Sequence, residues 1–540
     1  MIDCRSVAIS EEYADFITNA VYAPNIGNEG CYQRISGYYG VVYEPLASID
    51  QLQLRNYPYN TIPALYGLNE QDISTRVGDT ENALDEAGIT RLQNIPTLRL
   101  RGQGCLVAII DTGINIEDDD FRFSNGATRV LRLWDMTDQS AAPPQGINYG
   151  TEYTREMLDD LLDSSDDVGD VNDIREEGRY PGHDDIGHGN VLAKVVAGIN
   201  GAVPESYIVA VKLKEAKGYL RKYHGVRYGV PAYQENDIML AVNYVKNVAD
   251  KLDMPVSLCL ALGSNSRSHD GNSALSYILD SFVSTGMAMV SLAGGEQGNK
   301  QLHVSDEENV EIRLDSRQKE LNVNIWGRNG SVASVGLVSP TGEVIDNVPA
   351  RVNAIEERKL LIEGTTVTIE YDMSEGDTGE QFILVRLRDA TEGVWRLNIQ
   401  GDKQFDGYLP ISQFIYENTY FLEPNPDTTL TDPSFARKTM TAVGYDVKSG
   451  ALYIGQGRGF SRIGGIKPDI AAPMSVAVLT GAVTQLQQWS MVTGIRLDNI
   501  DVKSYLLRGA VQSDGEQYPN KRWGNGKLNV YNALEVLRTG

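Results

Sequence analysis

The chain has 540 residues, of which 41% are hydrophobic and 22% are charged. That length exceeds what one hydrophobic core usually holds, so we expect two or three structural units. Acidic residues outnumber basic ones by 73 to 48, and the resulting net charge of −25 argues against binding to nucleic acid, whose phosphates it repels.

The four cysteines are Cys4, Cys31, Cys105 and Cys259, and they form neither a C-x-x-C pair nor a cluster with zinc-ligand spacing. A reducing compartment fits this pattern, although disulfides stay open. Neither a signal peptide nor an 18-residue apolar segment is visible, so we expect a soluble protein without a membrane span. We also expect no metal and no cofactor.

Residues 1–88 have the pattern of a small α+β unit, with a helix over residues 11–21 (EEYADFITNAV), a strand-like run over 37–45 (GYYGVVYEP) and a mixed stretch that ends in IPALYGL. From about Arg99 onward, apolar strands such as LVAIID and PVSLCL alternate with helices such as ENDIMLAVNYVKNVADKL. This alternation predicts an α/β domain with a parallel sheet covered on both faces.

Between residues 301 and 434 the pattern changes to short alternating strands separated by Gly, Asp and Asn turns. This change predicts an antiparallel β-sandwich inserted into the α/β domain. The predicted organisation is therefore an N-terminal unit of residues 1–88, an α/β domain in two parts, 89–300 and 435–540, and the sandwich of residues 301–434.

Two residues of this α/β domain are candidates for catalysis. Asp111 ends the buried run LVAIID, and catalytic groups gather at the carboxyl ends of strands in open α/β sheets. His188 stands between two glycines, which let a substrate or other backbone approach its ring. Each signal is weak alone, but an Asp followed by a Gly-flanked His matches the first two members of an Asp–His–Ser triad.

The chain resembles the subtilisin family, and within it the clostridial Csp germination proteases. Besides DTG and GHG, the motifs that carry this resemblance are RLQNIPTLRLRGQG, RLWDMTDQS, NYGTEYTREML, GVPAYQENDIMLAVNYV, SNSRSHDGNS, IKPDIAAP and YPNKRWGNGKLNVYNALEVLR. It implies a subtilisin-like doubly wound parallel sheet, an inserted antiparallel β-sandwich (jelly roll) and an N-terminal prodomain-like unit. It also implies a cytoplasmic or spore-associated protein.

The segment that supplies the nucleophile in this family is absent. In the family, a glycine-rich loop after KPDIAAP leads to G-T-S, whereas here Pro473 runs directly into Met474 and occupies the nucleophile position by the family spacing. Ser475 is the nearest hydroxyl, and it is a doubtful nucleophile because two residues rotate a helix by about 200°. The alternative role for Ser475 is to satisfy backbone N–H groups at the helix start.

The oxyanion position has changed as well. Gly295 replaces the asparagine whose amide stabilises the tetrahedral oxyanion in the family. Loss of that donor costs on the order of 10²–10³ in rate, a figure that comes from a subtilisin itself. We therefore expect Asp111 and His188 to persist as a vestigial dyad.

The resemblance further implies that Leu262, Gly263 and Ser264 form the strand that pairs with a peptide substrate, which can bind by β-augmentation without being cut. His269 lies near the expected specificity pocket, or it braces its own loop. Because self-cleavage should fail, the N-terminal unit is expected to stay attached and to place its tail in this cleft. A separate peptide or a related protease is a further candidate partner.

Three hypotheses follow. The first is an inactive protease homologue that acts as a scaffold or regulator, in spore germination as the resemblance implies. The second is an active subtilisin-like serine endopeptidase, either through Ser475 or because a nucleophile segment between Pro473 and Met474 is missing from the sequence. The third is a peptide-binding or sensor module that uses the inserted sandwich.

Overall fold

The fold is described from a computed structural model, which covers residues 4–20, 31–49, 51–69, 77–167, 180–284, 287–295, 298–402 and 404–539. Its centre is an eight-stranded sheet in the order β25-β24-β12-β10-β5-β8-β6-β7. All neighbours in this sheet are parallel except β6 and β7. The strands are β5 (Leu106–Asp111), β6 (Val130–Asp135), β7 (Thr151–Thr154), β8 (Tyr207–Lys212), β10 (Val256–Leu260), β12 (Ala288–Ala293), β24 (Met440–Tyr445) and β25 (Ile470–Pro473).

The predicted parallel sheet is confirmed, and its winding locates a binding crevice. From β5 the chain forms β6 and the edge strand β7, and then returns to insert β8 between β5 and β6; it next crosses to the other side of β5 to form β10, β12, β24 and β25. The winding direction therefore reverses between β5 and β10. Ligands bind at such a switch point, outside the carboxyl ends of the strands.

Helices surround this sheet, because apolar strands buried on both faces need cover on both sides. The long helix Ser475–Thr493 is almost wholly buried and passes against β10, β12 and β24. None of the helices in the described ranges is long and apolar enough to cross a membrane. The helices are α1 (Cys4–Ile9), α2 (Thr80–Glu86), α3 (Ile89–Asn94), α4 (Arg155–Asp167), α5 (His188–Ala197), α6 (Gly218–His224), α7 (Glu235–Leu252), α8 (Ala274–Val283), α9 (Ser475–Thr493), α10 (Asn499–Arg508) and α11 (Val530–Thr539).

The N-terminal region corrects one prediction. The helix predicted over residues 11–21 is wrong: β1 (Tyr13–Asn19) pairs antiparallel with β3 (Tyr39–Pro45), which also pairs with β2 (Cys31–Arg34); position 21 lies outside the described residues. Tertiary packing overrides local propensity here, because Phe16 and Ile17 face opposite sides of the strand and enter two different hydrophobic cores.

The fold shows which cysteines pair, a question that the sequence left open. Cys4 and Cys31 form a disulfide that joins α1 to β2. Cys105 and Cys259 are free and buried.

The antiparallel strands predicted between residues 301 and 434 are present. They form a six-stranded sheet (β13-β22-β15-β20-β19-β18) and a five-stranded sheet (β17-β16-β21-β14-β23) that share one hydrophobic core. The strands are β13 (His303–Ser305), β14 (Asn309–Leu314), β15 (Glu320–Gly327), β16 (Ala333–Val338), β17 (Val344–Val348), β18 (Ile355–Lys359), β19 (Thr366–Asp372), β20 (Phe382–Arg388), β21 (Gly393–Gly401), β22 (Phe405–Tyr408) and β23 (Tyr420–Phe421).

The N-terminal strands contact the α/β domain through a buried polar cluster centred on Asp15. Asp15 Oδ1 accepts from Lys217 Nζ at 2.6 Å, and Oδ2 accepts from Gln234 Nε2 at 2.8 Å and Asn236 Nδ2 at 3.3 Å. Burial lowers the pKa of Lys217, although the charge of Asp15 opposes that shift. Because both charges are removed from water, each depends on the other.

Removing one partner of this pair tests the attachment of the N-terminal strands. Asp15→Ala leaves the Lys217 ammonium buried without its counter-ion, so the free energy of unfolding in urea should fall by about 3–5 kcal/mol. The matched control is Asp250→Ala, which removes the exposed pair with Lys246 and should change stability by about 0.5 kcal/mol or less. Equal effects of the two substitutions would contradict the structure.

Candidate functional site

Asp111 and His188 meet at the carboxyl end of β5, as the sequence order suggested. His188 opens α5, and its Nδ1 lies 2.7 Å from Asp111 Oδ1. Gly189 permits this approach, because a Cβ there would lie 2.5 Å from the Gly113 carbonyl oxygen. Both members of the dyad are buried.

The other ring nitrogen of His188 faces the N-terminal segment. Its Nε2 lies 2.7 Å from the backbone carbonyl oxygen of Asn69. A carbonyl oxygen only accepts hydrogen bonds, so Nε2 carries a proton and donates to Asn69. A protonated Nε2 has no lone pair with which to act as a general base.

The residues before Asn69 lie in the cleft as an extended strand. β4 (Leu65–Leu68) is the middle strand of a small antiparallel sheet, between β11 (Leu262–Gly263) and β9 (Tyr233–Gln234). Leu68 pairs with Leu262, and the Asn69 amide donates to the Ala261 carbonyl at 2.8 Å. The segment therefore pairs with β11 as an added strand, which is the binding mode called β-augmentation.

The cleft residues predicted from the sequence divide into two groups. Leu262 and Gly263 pair with β4, as a substrate-binding strand would. Ser264 pairs instead with Asp432, whose amide donates to the Ser264 carbonyl at 2.9 Å.

A glutamine side chain closes the remaining edge of β4. Gln413 Oε1 accepts from the Leu68 amide at 3.1 Å, and its Nε2 donates to the Leu68 carbonyl. Both backbone groups of Leu68 are thus bonded, just beyond the point where pairing with β9 stops at Tyr66.

Buried side chains also bind the backbone ahead of β4. Arg267 Nη2 donates to the Ile62 carbonyl at 2.9 Å, and the Ala64 amide donates to Glu235 Oε2 at 3.0 Å. His224 Nε2 lies 2.9 Å from the Pro63 carbonyl. Burial lowers the pKa of His224 to about 4, so the neutral ring donates from Nε2.

The tyrosine in β4 reaches a buried carboxyl group. The Tyr66 hydroxyl donates to Asp432 Oδ2 at 2.7 Å, and Ser273 Oγ donates to the two Asp432 oxygens at 3.0 and 3.1 Å. Burial raises the pKa of Asp432 to about 7. The charge of Glu235 acts in the same direction, and Arg267 and the hydrogen bonds from Tyr66 and Ser273 act against it.

The junction that follows β25 differs from a nucleophile loop. Pro473 is the last residue of β25, and only Met474 separates it from the first residue of α9, Ser475. Met474 and Ser475 have φ values of 52° and 43°, a left-handed backbone that is strained for residues other than glycine. Ser475 is completely buried, and its Oγ donates to the Ala442 carbonyl of β24 at 2.9 Å.

Gly295 follows β12 with a φ of +80°. A Cβ at this position would lie 2.6 Å from Thr431 Oγ1. Because any side chain would meet Thr431, the asparagine of an oxyanion hole does not fit here without movement of its neighbours. Residues 296 and 297, which follow it in the sequence, lie outside the described residues.

His269 is held by a distant backbone carbonyl and by an aromatic stack. Its Nδ1 lies 2.9 Å from the Leu430 carbonyl, and its ring stacks on Tyr408 at a centroid distance of 3.8 Å. Burial lowers the pKa of His269 to about 3, and the neighbouring His303 acts in the same direction. These contacts fit the bracing role that the sequence left as one of two alternatives.

Sequence reasoning missed the residues that hold the segment in place. Tyr66 belongs to a stretch that the sequence showed only as mixed, and Asn69 follows that stretch directly. Gln413, Thr431 and Asp432 are more than 300 residues away from it. No local pattern marks such long-range partners. Within the described ranges, no group of three or more His, Cys, Asp or Glu residues could hold a metal ion.

No family model matches the chain, and none of the curated proteins matches it. Solved structures do match, and they define the class: the chain has the fold of the subtilisin-like serine proteases. The CspB protease of Clostridium perfringens superposes with a TM-score of 0.71 at 22% identity, covering 85% of this chain and 98% of CspB. The overlap with the epidermin leader peptide processing protease EpiP of Staphylococcus aureus is poorer (TM-score 0.42, 11% identity, 97% of this chain and 99% of EpiP), so the assignment depends on CspB.

The raised pKa of Asp432 predicts a pH dependence of stability. Between its unfolded pKa of about 3.9 and its folded pKa of about 7, the folded state binds a proton that the unfolded state does not. The contribution of Asp432 is therefore present below about pH 4 and is lost as the pH rises to 7. The difference in Tm between the wild type and Asp432→Asn should fall as the pH rises from 5 to 7.5. A difference that stays constant over this range would contradict a raised pKa of Asp432.

Proposed function

We propose that this protein is an inactive homologue of the subtilisin-like serine proteases, whose cleft holds the protein's own N-terminal segment as a tethered ligand. The observation that carries the proposal is the contact between the Asn69 carbonyl oxygen and His188 Nε2 at 2.7 Å. This contact supports the view that a peptide lies where a substrate would lie. It also supports an imidazole whose Nε2 donates a hydrogen bond and so cannot accept the proton of a nucleophile.

Two features of the site support the absence of catalysis. The Ser475 hydroxyl is buried and donates its hydrogen bond to the Ala442 carbonyl of the sheet, so its proton is not offered to His188. The backbone at Gly295 leaves no space for an oxyanion side chain beside Thr431. Loss of the nucleophile alone costs about 10⁶ in turnover number in a subtilisin.

The same contacts suggest where the tethered segment ends. Asn69 is the residue whose carbonyl faces the dyad, so the bond after Asn69 corresponds to the one that an active relative would cut. The attached unit would then end near residue 69, about 20 residues before the limit of 88 that the sequence pattern suggested. The buried pair of Asp15 and Lys217 helps to hold this unit in place.

A chain that keeps the cleft but not the chemistry is suited to act as a scaffold or regulator. The Csp-like motifs of the sequence are the basis for proposing that this role belongs to spore germination, and the similarity in fold to CspB supports it. A related protease or a peptide segment of another protein is the partner class that such a fold would serve.

Treatment with a fluorophosphonate probe tests the proposal. The wild type and Ser475→Ala should both remain unlabelled, while an active subtilisin treated in parallel is labelled, because no hydroxyl is activated by His188. Intact mass should show one species of 59.4 kDa. Labelling that disappears in Ser475→Ala, or release of a fragment of residues 1–69, would establish the active-enzyme alternative instead.

A further inference from the structure

Two side chains of the docked segment enter pockets that match their chemistry. Tyr66 is completely buried, and its hydroxyl supplies one of the donors to the buried carboxyl group of Asp432. A phenylalanine at this position would fill the same space but would leave Asp432 short of that donor. A buried acceptor that loses its partner carries a free-energy penalty that an exposed one avoids.

The second pocket holds the carboxamide of Asn69. Its Nδ2 donates to Thr431 Oγ1 at 3.0 Å. The walls are glycines: a Cβ on Gly263 would lie 2.5 Å from Asn69 Nδ2, and a Cβ on Gly295 would lie 2.6 Å from Thr431 Oγ1. Glycine at 263 therefore leaves the space that the carboxamide fills, glycine at 295 leaves the space that Thr431 fills, and Thr431 supplies the acceptor.

The position between these pockets has no room for a side chain. A Cβ on Gly67 would lie 2.5 Å from Ile411 Cδ1 and 2.6 Å from Gln413 Oε1. At Leu68 the backbone is bonded to Gln413 and pairs with Leu262, and the side chain is buried in the hydrophobic core. The cleft therefore constrains the side chain at each of the four positions from Tyr66 to Asn69.

We propose that the cleft is selective for sequence, and that Asp432 and Thr431 are the residues that determine this selectivity. The preferred ligand is an extended peptide with Tyr, Gly, an apolar residue and Asn in succession, rather than any segment able to form a β-strand. This inference rests on the proposed function, because it assumes that residues 65–69 stay docked. A site built to hydrogen-bond a hydroxyl group discriminates against the analogue that lacks it.

Hydrogen exchange of the full-length chain, followed by mass spectrometry of the peptide that covers residues 65–69, tests the selectivity. In Tyr66→Phe these amides should exchange about 10- to 100-fold faster than in the wild type, since a hydrogen bond to a charged or buried carboxyl group is lost. In an Asp432→Asn background the effect of Tyr66→Phe should shrink, because a neutral amide is a weaker acceptor.

Tyr149→Phe is the matched control. Tyr149 is also buried, and its hydroxyl donates to the buried Asp237 Oδ1 at 2.6 Å, on a different part of the domain. This substitution should leave exchange of residues 65–69 within about threefold of the wild type, since well-separated sites act independently. The control therefore separates local release of the segment from a general loss of stability.

The outcomes distinguish the two levels of the proposal. The selectivity would be overturned if the amides of residues 65–69 are protected in the wild type and stay equally protected in Tyr66→Phe. It would also be overturned if Tyr149→Phe speeds their exchange as much as Tyr66→Phe does. Either result would leave the docked segment intact. Unprotected amides in the wild type would overturn both the docked segment and the selectivity that depends on it.

Discussion

The contact on which the site depends is a backbone carbonyl placed against a histidine ring. In a working triad, Nε2 of the histidine accepts the proton of the serine hydroxyl. Here the Asn69 carbonyl takes that place and can only accept, so His188 must donate to it. Asp111 binds the other ring nitrogen. In this arrangement His188 of the dyad binds a backbone carbonyl of the N-terminal segment.

The rest of the cleft is consistent with that change. Gln413, Glu235 and Arg267 bond backbone groups along the segment, so most of its polar groups are satisfied without water. On the opposite side, β25 continues almost directly into α9, and the left-handed backbone at Met474 and Ser475 is the structural cost of that short connection. Under the proposed function, the cleft would bind a peptide segment without cutting it.

Much of this could be predicted from the sequence, and the failures have physical causes. Apolar runs and glycine-flanked motifs predicted the parallel sheet and the meeting of Asp111 with His188, because both are set by strand order. The helix predicted over residues 11–21 is a strand, since its two faces pack into different cores. Thr431 and Asp432 were missed, because their role exists only when the chain brings a segment from more than 300 residues away against them.

Nitrogen NMR of the full-length protein with ¹⁵N-labelled histidine side chains tests whether His188 donates to the Asn69 carbonyl. The chain has five histidines, and His188→Gln identifies the signals of the ring in question. Nε2 of His188 should carry a directly bonded proton near neutral pH, because it faces a carbonyl oxygen. An Nε2 without a bonded proton would show that His188 is available as a base, and it would contradict this role.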